Sequence, residues 1–378
     1  MSLSRRRFVH LLGAGSVASL LAPTVAARGL EARSREATGA PDGDFVRLDS
    51  NENPYGADAA ALDAIAATMR GVHRYPDDLA AELRAAVARS HGVDVANVCL
   101  GCGSTDLIRA TVQRFASASR ALVTAVPTYE SPADDAKRAG APVRAIPVRA
   151  DLQLDLAGMA EAARGAGVVY LCNPNNPTGR VLGHEAVTSF IGTVLRDTPD
   201  CTILVDEAYH EYVDDASYAS AVGLALGNPR VIVARTFSKV HGLAGLRVGY
   251  AVAHADTIAT LAPFALDIGV NMLAAVAARA SLENAGRVPR ERARNREARE
   301  FTSRFFASAG FDPVPSAANF LMVDIRRDAK AFRAACRAEG VLVGRVFPPL
   351  LTHARVTFGT MDEMRRATAV FRRVLAAG

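Results

Sequence analysis

The sequence predicts an α/β protein, with a large domain built on a mostly parallel sheet and a smaller α+β domain after it. Two observations carry this. Between about residues 95 and 250, short β-rich runs alternate with helical segments, and continuous apolar strands separated by helices belong to parallel sheets covered on both faces. After about residue 275 the pattern changes to one long arginine-rich helix, then strands and a closing amphipathic helix. A chain of 378 residues suits one large domain with a smaller companion.

Taken in order, the chain opens with SRRRFVH (Ser4 to His10), a modest apolar stretch, LLGAGSVASLLA, and the small residues TVAA (Thr24 to Ala27). This segment, 1–27, resembles a twin-arginine export signal, which implies the twin-arginine export machinery as a partner and a periplasmic or extracellular destination, or the cytoplasm where the signal is not used. Its apolar run is too short and too rich in Gly, Ala and Ser for a stable membrane span. Residues 28–44 read as a polar linker, 45–72 as the N-terminal part of the smaller domain, 73–274 as the large domain and 275–378 as the C-terminal part of the smaller one. In the large domain the expected strands are ALVTAV (121–126), GVVYL (167–171), TILVD (202–206), VIVA (231–234) and RVGYAVA (247–253). Beyond it, RVPRERARNREAREFTSRFF reads as a solvated helix laced with ion pairs. NFLMVDI, GVLVGRVF and ARVTFG read as strands, and MDEMRRATAVFRRVLAA as the last helix.

Composition excludes several functions. The net charge is only +5, and Arg5, Arg6 and Arg7 of the export-like segment supply three of those charges, so nucleic acid is not the expected partner. The five cysteines include one CxxC, Cys99 and Cys102, with no second pair or nearby histidine to complete a metal site.

Lysine usage points to chemistry. Among 44 Lys plus Arg there are three lysines, Lys137, Lys239 and Lys330. The first and last lie in polar helical stretches, whereas Lys239 follows the apolar VIVA run and precedes a Gly-rich segment. An amine can lose its proton and attack a carbonyl; a guanidinium stays charged. In parallel α/β sheets ligands sit beyond the carboxyl ends of the strands. There GVVYL runs into CNPNNPTG, TILV into DEAY, and VIVA into RTFSK, which brings Asn176, Asp206, Tyr209, Ser238 and Lys239 to one rim. GCGSTDLIRATVQRF places a Gly-rich turn at a helix start, where backbone amides favour a phosphate. This set matches pyridoxal 5′-phosphate (PLP). Lys239 supplies the amine for its aldehyde, Asp206 the anion for its pyridine nitrogen, and Asn176 and Tyr209 the donors for its phenolic oxygen. Gly103, Ser104, Thr105, Ser238 and Arg247 cradle its phosphate.

These motifs resemble the fold-type I aminotransferases, and within them the histidinol-phosphate aminotransferase family. NENPYG (51–56), RYPD (74–77), PTY (127–129), NPNNPTG (173–179), DEAY (206–209), RTFSK with GLAGLRVGY, ANF (318–320) and RVTFGT (355–360) carry the resemblance, which runs from about residue 45 to the C-terminus. It implies a large domain with a seven-stranded, mostly parallel sheet, and a homodimer in which Tyr55 reaches the phosphate of the neighbouring subunit's cofactor. It also implies that Tyr129 stacks on the cofactor ring, and that Arg355, Asn53 and Arg345 bind substrate. Arg345 in GVLVGR stands one residue later than the family's arginine, and strand alternation would then turn it to the opposite face. The expected activity is transfer of an amino group from an amino acid or histidinol-phosphate-like donor to an oxo acid such as 2-oxoglutarate. Histidinol-phosphate aminotransferase proper, and a decarboxylase or lyase on the same scaffold, are the alternatives.

Overall fold

The structure, a computed structural model, describes residues 45–377; the export-signal and linker readings lie outside the described residues. Eleven strands are formed among them: β1 Val46–Leu48, β2 Val98–Gly101, β3 Leu122–Val126, β4 Val143–Pro147, β5 Val168–Cys172, β6 Thr202–Asp206, β7 Val231–Thr236, β8 Gly249–Ala253, β9 Phe320–Asp324, β10 Val341–Val343 and β11 His353–Thr357. Seven make the central sheet, in the order β2-β8-β7-β6-β5-β3-β4. Strands β4, β3, β5, β6 and β7 are mutually parallel, and β8 runs antiparallel to both β7 and β2.

The central strands are apolar on both faces because helices cover both. One face packs Val169, Leu171, Ile203, Val205 and Val233 against Val187 and Phe190 of helix His184–Asp197. The other packs Val168, Tyr170, Leu204 and Ile232 against Leu107 and Ile108 of helix Ser104–Phe115. Strand β4, which the sequence reading passed over, lies at the sheet edge with its charged and proline residues exposed, where a strand ending in proline is tolerated.

A separate core gathers Val46, Leu48, Phe306, Leu321, Val323, Val341 and Phe371. Over it lie a parallel pair, β1 with β10, and an antiparallel pair, β9 with β11. Helix Arg287–Ser308 leaves most of its charges exposed or half-buried, but it buries the Arg287–Glu291 ion pair, 3.6 Å apart, along with Ala298, Phe305 and Phe306. The closing helix Met361–Ala376 begins with a capping box between Thr360 and Glu363. Helix Ala59–Thr68, capped by Asp58, packs on helix Met272–Glu283 and places Ala61 in the core beside the large sheet. Thus residues assigned by sequence to the smaller domain on both sides of the large one bury their apolar faces against the larger core. No helix among the described residues is long and apolar enough to cross a membrane.

Candidate active site

The carboxyl ends of β2, β3, β5, β6 and β7 open on one cavity of about 270 Å³. Its lining includes Ser104, Thr105, Tyr129, Asn176, Asp206, Tyr209, Ser238, Lys239, Arg247 and Arg355, so ten of the residues singled out from sequence meet there.

Asp206 is the last residue of β6 and is buried. Its Oδ2 accepts from the Tyr170 hydroxyl at 2.7 Å and its Oδ1 from the Ala208 amide at 3.1 Å. Burial pushes its pKa up to about 6, against the lowering effect of the Tyr170 bond. A buried carboxylate in that position is stabilised by a cation placed beside it. Tyr170 was missed in the sequence although the signal exists: Cys172 is in register with Asp206, so Tyr170, two residues back, shares Asp206's face of the sheet.

The Lys239 amine donates to the Asn51 carbonyl at 3.0 Å and lies 5.6 Å from the centre of the Tyr209 ring. Burial, reinforced by the Arg355 guanidinium, lowers its pKa to about 8. A larger fraction is therefore neutral near pH 7 than for an exposed lysine. Tyr209 is buried, and its phenol oxygen accepts from Asn51 Nδ2 at 3.0 Å.

At the other end of the cavity, Gly103 adopts φ +73°, and a Cβ there would meet Arg247 Nη2 at 2.5 Å. The positive φ favours glycine at this turn, and a side chain there would push the guanidinium away. Across β8, a Cβ on Gly249 would lie 2.4 Å from the Ser104 amide nitrogen. Arg247 donates to Ser238 Oγ at 3.4 Å. Together, the amides at the start of helix Ser104–Phe115, two hydroxyls and a guanidinium form an anion cradle. The Thr105 hydroxyl lies 3.2 Å from the Tyr129 hydroxyl, which ties the cradle to the aromatic ring beside it.

Arg355 on β11 is buried. It donates to Asn176 Oδ1 at 2.8 Å and to the Asp49 carbonyl at 2.6 Å, while its Nε has no partner among the described residues. Phe320 and Phe347 pack on it, at 5.4 and 4.7 Å from guanidinium carbon to ring centre. Burial lowers its pKa to about 10.

Besides Gly103, whose turn carries the cradle, three sequence candidates lie outside this lining. Asn53 was expected to bind substrate, but its amide nitrogen donates to the Val240 carbonyl at 3.0 Å and to Glu291 at 3.3 Å. Its oxygen accepts from the Tyr55 amide, so Asn53 braces its own loop, and the asparagine that reaches the cavity is Asn51, two residues earlier. Tyr55 is partly exposed under the Arg294 guanidinium, 4.0 Å from its ring centre. Arg345 departs from the strand argument, because β10 ends at Val343 and alternation does not govern a residue beyond it. It lies 4.2 Å from the centre of Phe347, the ring that Arg355 also contacts, and is held by Glu130, next to Tyr129. His241 is buried against Phe237 and bonded to Ser281, away from the cavity.

Residues 43–371 match the family model described as aminotransferase class I and II. The chain belongs to the class I and II aminotransferases. This aminotransferase is 35% identical over 337 residues to the histidinol-phosphate aminotransferase of Moorella thermoacetica, covering 88% of this chain and 86% of that one. It is 36% identical to that of Symbiobacterium thermophilum, covering 89% and 92%. Among solved structures it is similar to the histidinol-phosphate aminotransferase from Sinorhizobium meliloti in complex with pyridoxal-5′-phosphate. That match has a TM-score of 0.83 and 27% identity, and covers 96% of this chain and 100% of that chain. The cofactor of this aminotransferase is PLP. Its residues fit the group: one buried carboxylate in need of a cation, one amine of lowered pKa, and an anion cradle closed by Gly103.

Proposed function

We propose that this aminotransferase moves an amino group from a histidinol-phosphate-like or amino-acid donor to an oxo acid such as 2-oxoglutarate. One observation carries the reading: the Lys239 amine, the Asp206 carboxylate and the Arg355 guanidinium, from three different strands or their ends, line one cavity. PLP, when bound, supplies an aldehyde that condenses with amines and a ring that withdraws electrons from the donor carbon.

In this reading Lys239 is both the amine for the cofactor and the group that takes a proton from the donor carbon and returns it, a role that suits a pKa near 8. Asp206 stays anionic against the ring nitrogen. Asn176 has its amide oxygen occupied by Arg355, which leaves its NH₂ to serve the phenolic oxygen alongside Tyr209. Gly103, Ser104, Thr105, Ser238 and Arg247 hold the phosphate, and Tyr129 covers the ring. Arg355 grips the donor's anionic group, with Arg345 at the mouth for a second anion. Glutamate formed from 2-oxoglutarate, with histidinol phosphate and an aromatic amino acid as donors, is the direct assay. Absence of glutamate with every donor, while carbon dioxide is released, would assign a decarboxylase instead.

The assembly proposed is a homodimer. Tyr55, Leu62, Met69, Val72 and Tyr75 are large apolar or aromatic side chains exposed within one short stretch, and in the family resemblance Tyr55 serves the neighbouring subunit's cofactor. Sedimentation velocity distinguishes dimer from monomer. The proposed destination is outside the cytoplasm, on the strength of SRRRFVH and the segment after it; replacing Arg5 and Arg6 by lysine should retain the protein in the cytoplasm.

A further inference from the structure

We propose that Asn51 and Thr357 fix the direction of the Tyr209 proton and are positioning residues for the reaction. The inference rests on the reading above, in which the Tyr209 hydroxyl serves the cofactor's phenolic oxygen.

Asn51 is buried and adopts φ +55°, a left-handed conformation that asparagine bears better than most side chains and that clusters at functional sites. Every polar group it owns is engaged. Its backbone amide donates to Thr357 Oγ1 at 3.0 Å, and its carbonyl accepts from the Lys239 amine and from Asn319 Nδ2, both at 3.0 Å. Thr357 Oγ1 lies 2.9 Å from Asn51 Oδ1, and Asn51 Nδ2 lies 3.0 Å from the Tyr209 hydroxyl. Thr357 is delivered by β11 on the same face as Arg355, two residues before it.

Proton bookkeeping gives this chain a direction. The Thr357 hydroxyl accepts the Asn51 backbone N–H, and its own hydrogen goes to Asn51 Oδ1. With its oxygen claimed, the amide must turn its NH₂ to Tyr209, so the phenol oxygen is an acceptor there. The single phenol proton is then left for a partner in the cavity. If the amide were turned over, its oxygen would accept that proton and its NH₂ would compete with the backbone amide at Thr357. The Thr357 hydrogen would then lose its acceptor in a buried site.

The readout is the pH at which the absorbance of bound PLP changes as its imine to Lys239 takes up a proton. A donor on the phenolic oxygen lowers that midpoint. Tyr209→Phe should raise it, by about one pH unit for a lost bond of ordinary strength. Thr357→Val frees the amide to turn, and its midpoint should rise by at least half of the Tyr209→Phe shift; Thr357→Ser, which keeps the hydroxyl, should stay at the wild-type value. The decisive background is Asn51→Gly, which keeps the left-handed backbone and removes the amide: there Thr357→Val should have no further effect. Where Thr357→Val does not accumulate as folded protein, Thr357→Ala makes the same deletion.

An unshifted Thr357→Val midpoint, with Tyr209→Phe shifted, would overturn the proposal and leave the functional reading standing. So would a Thr357→Val shift of equal size in the Asn51→Gly background. A wild-type protein that gives no absorbing complex with PLP would overturn both.

Discussion

Arg355 donates to Asn176 Oδ1 at 2.8 Å, joining two residues that are 179 positions apart in the chain. This contact ties β11 to the turn after β5, so the group expected to grip the substrate's anion also orients the amide expected to serve the cofactor. Arg355→Ala should cost about 2 to 4 kcal/mol in catalytic efficiency, because the substrate's anion loses its cation and the Asn176 and Asp49 oxygens lose their donor. The loss should fall alike on amino donor and oxo acid, since both would occupy the same place. Arg355→Lys should recover little, as an ammonium cannot replace a planar fork with bonds in two directions. Steady-state kinetics on both half-reactions check this, and a loss confined to one substrate would place the arginine elsewhere.

Arg345 should behave differently. It is exposed, paired with Glu130 and resting on Phe347. An exposed pair is worth little, about 0.2 to 1 kcal/mol. Glu130→Gln therefore releases Arg345 at small cost and should lower KM for histidinol phosphate by about two- to fivefold at low salt, with no change for an aromatic amino acid. Arg345→Ala should raise the same KM selectively. Equal effects on both donors would remove Arg345 from substrate recognition.

Asp206 combines a loss of activity with a gain in stability. Its folded pKa, about 6, lies above the ordinary 3.8. The stability it contributes is therefore fully present below pH 3.8 and lost as pH rises through about 6. At pH 8 the cofactor-free protein carries the whole cost, on the order of 3 kcal/mol. Asp206→Asn should make the cofactor-free protein more resistant to urea at pH 8, and the difference should shrink towards pH 4. The same variant should lose roughly 10³-fold in turnover, about 4 kcal/mol of barrier, for want of an anion at the ring nitrogen. A variant less stable than wild type at pH 8 would mean that the carboxylate is held by more than Tyr170 and Ala208.

Much of this site was legible in the sequence because parallel strands deliver their next residues to one rim. Knowing that TILV, VIVA and GVVYL were strands was enough to bring Asp206, Lys239 and Asn176 together. The remainder depended on contacts between distant segments. Asn51 and Asn53 both stand in NENPYG, and nothing local shows which one enters the cavity. The choice is made by Thr357, Tyr209 and Lys239 taking the first, and Val240 and Glu291 taking the second. Strand alternation does not set the side of Arg345, because the strand stops two residues earlier, at Val343. Buried Glu207, the residue after Asp206, is bonded to Arg235 at 2.8 Å and to the Ala221 amide at 2.7 Å and so anchors the end of β6, yet DEAY alone does not reveal these partners.

Lys239 gives the remaining prediction. Its pKa of about 8 lies below the ordinary 10.5, chiefly through burial and then through Arg355. The charged form is disfavoured in the fold, so the stability this lysine contributes is present above pH 10.5 and lost as pH falls towards about 8. Only the neutral amine attacks an aldehyde. Mixing cofactor-free protein with PLP should therefore give an adduct whose rate of formation rises about tenfold per pH unit below pH 8 and levels off above it. Arg355→Ala removes the neighbouring cation and should move the midpoint upward. Lys239→Arg should form no adduct at any pH and should be as inactive as Lys239→Ala, because a charge in that place is not the requirement. Stopped-flow absorbance between pH 6 and 10 follows all three proteins. A midpoint near 10.5 in the wild type would mean that the amine is solvated, and turnover by the arginine variant would end the assignment of Lys239 to the cofactor.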